Sequence, residues 1–199
     1  MTHQTAEIVL SICLGVGLSA ACGFRVFVPL LVLSLASLSG HVTLARGFAW
    51  IGSYPALLMF SVATCLEISG YYIPWLDHLL DTIASPAAIV AGTLVTASMM
   101  TDVSPLLKWS LALIAGGGAA GMVQGTTVLA RGASLAGTGG LGNPLVATVE
   151  LMGAVLTSLL ALLAPVLVVV ASLVLLLFLA RKAWRKHPQP QPAWPSAAG

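Results

Sequence analysis

The chain has 199 residues, of which 58% are hydrophobic and 7% charged, where a soluble domain carries roughly a quarter charged residues. Six acidic and eight basic side chains cannot cover a water-soluble surface, so lipid must solvate the outer face, and the chain reads as an all-α, polytopic integral membrane protein. Much of the net charge of +2 sits in one cluster, Arg181, Lys182, Arg185 and Lys186, and no basic stripe interleaved with aromatics occurs elsewhere, which argues against nucleic acid as a ligand.

In chain order, Met1–Glu7 lacks the Lys or Arg that a cleavable signal places before its apolar core, so the first apolar run is expected to stay as a membrane segment. Ile8 to Ser39 is apolar apart from Arg25. As one straight helix it would reach about 48 Å, more than the bilayer core of about 30 Å, so a break is expected, with Gly23 as the hinge. Further apolar runs lie near Ala49–Ile68, Pro86–Met100 and Pro105–Ala130, and Pro165 divides the run from Pro144 to Ala180 into two helices, because a mid-helix proline removes a hydrogen bond and clashes with the preceding turn. This gives six or seven membrane helices, some broken or re-entrant.

Between the third and fourth runs, Leu76, Leu79, Leu80 and Ile83 share one helical face and Asp77, His78 and Asp81 the other, with Pro74 at the start and Tyr71, Tyr72 and Trp75 beside it. That pattern predicts a short amphipathic helix lying in the membrane surface. Gly132–Asn143, with five glycines, reads as a flexible loop, and 187–199, rich in Pro and Gln, as a disordered tail. A single transmembrane domain over 1–183 is expected. The positive-inside rule puts the Arg181–Lys186 cluster, and with it the C-terminus, in the cytoplasm. The N-terminus is then outside with seven spans and inside with six.

Small residues recur every fourth position at Ser11, Gly15, Ser19 and Gly23, and again at Gly117, Gly121 and Gly125. Such stripes let helix backbones approach closely in lipid. Leu44-Ala45-Arg46-Gly47 echoes Leu129-Ala130-Arg131-Gly132, and Pro55, Glu67 and Pro74 are followed in the same order by Pro144, Glu150 and Pro165. The offsets differ, and a chain rich in Leu, Ala and Gly yields shared tetrapeptides by chance. A duplication would give halves 8–101 and 105–181, lying inverted if each held an odd number of spans.

Few residues can carry chemistry. Arg25 is costly inside an apolar run unless it is paired or reaches water; it either staples helices through freed carbonyls or meets a substrate or ion. Glu150 has Ala147, Gly153, Ala154, Thr157 and Ala161 as helical neighbours, a small face that points it at protein or water. Glu67 has Ser61 and Thr64 on its side of the third run. Both glutamates are expected partners for Arg25, in a charge pair or along an ion pathway. Asp77 and Asp81, with His78, could contact a cation through oxygens or a lipid headgroup; the alternative is a solvated helix face. Cys13, Cys22 and Cys65 form no CxxC pair or Cys/His cluster and read as buried small hydrophobes. Walker, His-Glu-x-x-His and Gly-x-Ser-x-Gly motifs are missing. Asp77-x-x-x-Asp81 lacks the upstream elements of a CDP-alcohol phosphotransferase signature. No cofactor is expected.

Taken together, Gly17-Leu18-Ser19-Ala20-Ala21-Cys22-Gly23-Phe24-Arg25-Val26-Phe27-Val28-Pro29-Leu30, Glu67 with Ile73-Pro74-Trp75-Leu76-Asp77-His78, Pro86, and Gly142-Asn143-Pro144 with Glu150 make the chain similar to a bacterial membrane-protein family, domain of unknown function 4126. The resemblance reaches about Pro165. It implies a multi-pass protein of the bacterial cytoplasmic membrane and supplies no substrate or catalytic residue. Three functions stay open: a small transporter or channel-like protein for an ion or small solute, an accessory protein acting through helix packing, or an intramembrane enzyme on a lipid headgroup. The expected partners are the bilayer, a further copy of the chain in a homo-oligomer, and a small ion or solute.

Overall fold

A computed structural model describes residues 2–101 and 103–185, which form eight α-helices and no strand. The tail expected over 187–199, and Lys186 before it, lie outside the described residues. The helices are α1 (Thr2–Cys22), α2 (Phe27–Leu38), α3 (Tyr54–Gly70), α4 (Pro74–Met99), α5 (Pro105–Leu111), α6 (Gly118–Thr138), α7 (Asn143–Leu163) and α8 (Pro165–Arg185). A 3₁₀ segment, Arg46–Gly52, leads into α3, and a π-helical turn, Ala112–Gly117, joins α5 to α6.

Four helical stretches are long and apolar enough to cross a membrane: Thr5–Cys22, Leu79–Met99, Pro105–Thr138 and Asn143–Leu163. A fifth arises if Arg46–Gly52 and Tyr54–Gly70, bent by 64°, count as one. Against the expected six or seven membrane helices, some broken or re-entrant, the described residues contain four or five candidate spans. The twelve residues of α2 extend only about 18 Å.

The long first run does break beside Gly23. Gly23 and Phe24 donate to Ala20 O and Ala21 O, which closes α1, and α2 starts at Phe27. A Cβ on Gly23 would overlap Ala120 O and stand 2.6 Å from Val123 Cβ and 2.9 Å from Gln124 N. The break thus abuts the first two turns of α6, near the middle of the continuous helical stretch Pro105–Thr138. It lies inside the bundle rather than at its rim.

The first small-residue stripe seats α1 against α4. A Cβ on Gly15 would come within 3.0 Å of Thr96 Cα. Ser19 Oγ is 2.6 Å from Gly92 O and 2.7 Å from Thr96 Oγ1, the interhelical hydrogen bonding expected where no hydrophobic force draws helices together. Of the second stripe, Gly117 and Gly121 face Ile89 and Thr93 of α4, whereas Gly125 meets nothing within 4 Å among the described residues. Gly116, outside both stripes, sits against Gly92 and Thr96. Pro165 starts α8 after the interruption at Ala164.

Three further expectations are corrected. The segment bearing Asp77, His78 and Asp81 is not a separate surface helix, because α4 runs unbroken from Pro74 through Pro86 to Met99; packed membrane helices tolerate the one hydrogen bond that such a proline removes. The glycine-rich stretch is mostly ordered. Helix α6 continues through Gly132 and Gly137, and only Gly139 and Gly140 turn the chain, at φ +64° and +90°, a left-handed conformation glycine adopts freely. Cys65 is exposed on the outer side of α3 with Leu58, Val62 and Leu66, while Cys22 is buried and Cys13 half-buried.

The close contact at Gly23 yields a paired prediction. Gly23→Ala must displace backbone of α6 and should cost about 1–3 kcal/mol. Gly125→Ala meets open space and should leave stability equal or higher by up to about 1 kcal/mol. Thermal unfolding of both variants in detergent checks this; equal melting temperatures would contradict the packing at the break.

Candidate functional site: a buried charge cluster at a helix break

Breaking a helix inside a bundle leaves amides at the start of the second piece without intrahelical partners. Helix α2 has no local side chain that caps it, and Pro29 near its start brings no N–H of its own. The missing acceptor comes from α3. Glu67 Oε1 accepts from Val26 N at 2.8 Å and Oε2 from Phe27 N at 3.1 Å. A carboxylate placed there also meets the positive end of the α2 dipole. Glu67 is therefore a cap supplied from another helix, and it makes no direct ion pair with Arg25 among the contacts of the described residues.

Arg25 stands between the two half-helices, close to the negative end of α1, and is only 2% exposed. Its Nη2 donates to Ala147 O of α7 at 2.9 Å and lies 3.6 Å from Glu150 Oε2, an ionic contact just beyond hydrogen-bond length. Its Cζ lies 3.8 Å from the centre of the Tyr71 ring, a cation–π contact of about 0.5–2 kcal/mol.

Glu150, 4% exposed, is held chiefly by a residue the sequence reading did not place in the site. Arg131 Nε donates to Glu150 Oε1 at 2.9 Å, and Arg131 Nη2 pairs with Oε2. This is the bidentate geometry that makes Arg–carboxylate pairs strong. Arg131 Nη1 is 3.5 Å from Asp81 Oδ1, and its Cζ lies 4.2 Å from the Tyr71 ring centre. Two guanidinium groups thus share one carboxylate and one aromatic ring.

The signal for Arg131 was present in α6. Ala120, Gln124, Thr127 and Arg131 are all buried, and their spacing of four, three and four residues puts them on one helical face. The apolar run expected over Pro105–Ala130 stops one residue short of Arg131, which leaves it outside the candidate site. The small face around Glu150 is as expected, with Ala147, Ala154 and Ala161 fully buried.

Of the expected cation contacts, only Asp81 is described with its side chain, and it does not join Glu67. Asp81 turns toward Arg131, and Glu67 is occupied by backbone amides. The side chains of Asp77 and His78 lie outside the described residues. No group of three or more His, Cys, Asp or Glu residues assembles among those described. The four most buried charges, Arg25, Arg131, Glu67 and Glu150, balance formally, with part-exposed Asp81 at their edge.

Residues 12–185, most of the chain, match a family described as domain of unknown function (DUF4126). The chain belongs to this family. The match takes in the DUF4126 chain's helix break, Glu67, Tyr71, Arg131 and Glu150 together. No curated protein and no solved structure matches the chain.

The shared carboxylate makes the cluster's energetics non-additive. Glu150→Leu strands two buried guanidinium groups and should cost about 3–5 kcal/mol. Arg131→Leu should cost less, since Arg25 is already beside Glu150, and adding Arg131→Leu or Arg25→Leu to Glu150→Leu should recover part of the loss. Chemical unfolding of the singles and doubles measures the coupling. Strictly additive losses would show that the groups do not act as a unit.

Proposed function

We propose that this DUF4126 protein is a small transporter or channel-like protein for an ion or small solute, with the Arg25–Glu150–Arg131 cluster at the helix break as its pathway site. One observation carries the reading. Arg25 is buried, yet among the described residues its Nε and Nη1 have no hydrogen-bond partner. A charge kept only as a structural staple is stable when all its donors are satisfied; donors left over inside a bundle fit a group that receives something else. The setting supports this, because discontinuous helices that aim their ends at charged groups are how transporters build sites in the bilayer.

The wider placement belongs to the same proposal. The chain would form one membrane unit of the bacterial cytoplasmic membrane, with α2 and α8 as partial crossings that complete seven and the basic end of α8 in the cytoplasm. An inverted duplication would relate the Glu67 and Glu150 halves.

A second reading, an accessory protein that works by packing, is favoured by the mutual pairing of Arg131 and Glu150 in the interior. Flux separates the two. Proteoliposomes carrying the protein should pass protons, sodium, potassium, chloride or formate well above protein-free vesicles. Arg25→Leu combined with Glu150→Leu should fold and lower that flux at least about tenfold, a barrier change of about 1.4 kcal/mol. Absence of flux for all five ions in the wild type would favour the accessory reading.

A further inference from the structure

A guanidinium group has five N–H donors and no acceptor. In Arg25 the Nη2 group is committed to Ala147 O and the neighbourhood of Glu150. Three N–H bonds, one on Nε and two on Nη1, find no acceptor among the described residues. The nearby carboxylates are engaged elsewhere: Glu150 holds Arg131 with both oxygens, and Glu67 holds Val26 N and Phe27 N. Arg25 therefore keeps a cationic charge that no carboxylate meets at hydrogen-bond length, at 2% exposure. Desolvating such a charge costs several kcal/mol unless a counter-charge with acceptor atoms approaches it.

We propose that Arg25 is the binding residue for a small monovalent anion, a halide or a short carboxylate, taken up at the break between α1 and α2. The size limit follows from the enclosure. Gly23 abuts the α6 backbone, the Tyr71 ring covers the guanidinium, and α7 closes it at Ala147, an enclosure that excludes a phosphate ester or lipid headgroup and limits the ligand to an anion of few heavy atoms. The single charge follows from the balance of the four buried groups. The four balance among themselves and part-exposed Asp81 at the edge adds one further negative charge, so a monovalent anion adds the least to that excess, whereas a divalent anion would face three carboxylates with no further cation. The anion takes Nε and Nη1, so Glu150 keeps Arg131 with both oxygens and Nη2 keeps Ala147 O.

This rests on the transport reading for its purpose, and its test is one of equilibrium binding. The purified chain in detergent is melted in sodium chloride or sodium formate, with sodium gluconate, too bulky for the site, holding ionic strength constant. The wild type should show a saturable rise in melting temperature of roughly 5 °C or more with chloride or formate. Arg25→Gln should abolish that rise, and Arg25→Lys, which keeps the charge with fewer donors, should need about tenfold more anion. Lys108→Gln, remote from the cluster, should leave it unchanged. If Arg25→Gln does not fold, the wild type and Arg25→Lys decide. Equal melting in all three salts, or an anion-dependent rise of the same size in whichever Arg25 variants fold, overturns the anion site. Binding without flux would support the site and remove the transport reading. Flux that is indifferent to chloride and formate, with no melting shift, would retain transport and remove the anion site.

Discussion

Glu150 is the group on which the interior of this bundle depends. Its two oxygens hold Arg131 of α6 and face Arg25 at the α1–α2 break, so one carboxylate on α7 ties three parts of the chain. In a bundle with so little charge, each ionised group that enters must bring its partner, because lipid offers none. Arg25 needs α7, Arg131 needs α7 and α4, and the exposed amides of α2 need α3. These demands fix which helix ends meet: the end of α3, the start of α4, the last turns of α6 and the first turns of α7 all converge where α1 stops. Tyr71, between α3 and α4, lies against both guanidinium groups and adds a neutral surface that like charges can share.

That convergence is reachable only because the helices approach closely below it. Gly15, Ser19 and Gly23 let α1 lie against α4 and α6, while Gly92 and Gly116 bring α4 to the π-helical turn. In lipid the gain comes from dispersion and interhelical hydrogen bonds rather than from excluding water. The π turn inserts an extra residue per hydrogen-bonded ring, a feature frequent at functional sites. Here it places Gly116 and Gly117 on α4. Large side chains are accordingly pushed outward: Leu58, Val62, Leu66, Ile114, Leu145, Val149 and Met152 are exposed on the outer faces, the inverse of a water-soluble core.

The functional reading turns on how fully the buried charges are satisfied. Arg131 and Glu150 satisfy one another as a structural pair would. Arg25 does not reach the same state, although it is the more deeply buried arginine. A bundle that needed only a staple at the break could have used Glu67 and the Gly23 turn alone, since these already close both half-helices. Arg25 ties α7 and Tyr71 to the break, yet its Nε and Nη1 have no partner among the described residues.

Much of this was legible in the residues. Low charge and long apolar runs point to an all-helical chain with several stretches able to cross a membrane, and helices of that kind are what the fold contains among the described residues. The excess length of the first run and the proline at 165 establish where helices end. Arg25, Glu67 and Glu150 stand out because each is a charge in an apolar stretch. Tertiary structure decided what composition leaves open. Glu67 became a helix cap instead of a counter-ion, since only the fold shows which amides lie beside it. Arg131 joined the site because α6 continues past Ala130, and Asp81 belongs to a long helix rather than a separate one because α4 continues through Pro86; in both, packing against neighbours outweighed the local signals of glycine and proline. The sequence by itself determined that charges are buried and must be paired. Which charges pair is a matter of long-range geometry, decided by where glycine-lined helices can touch.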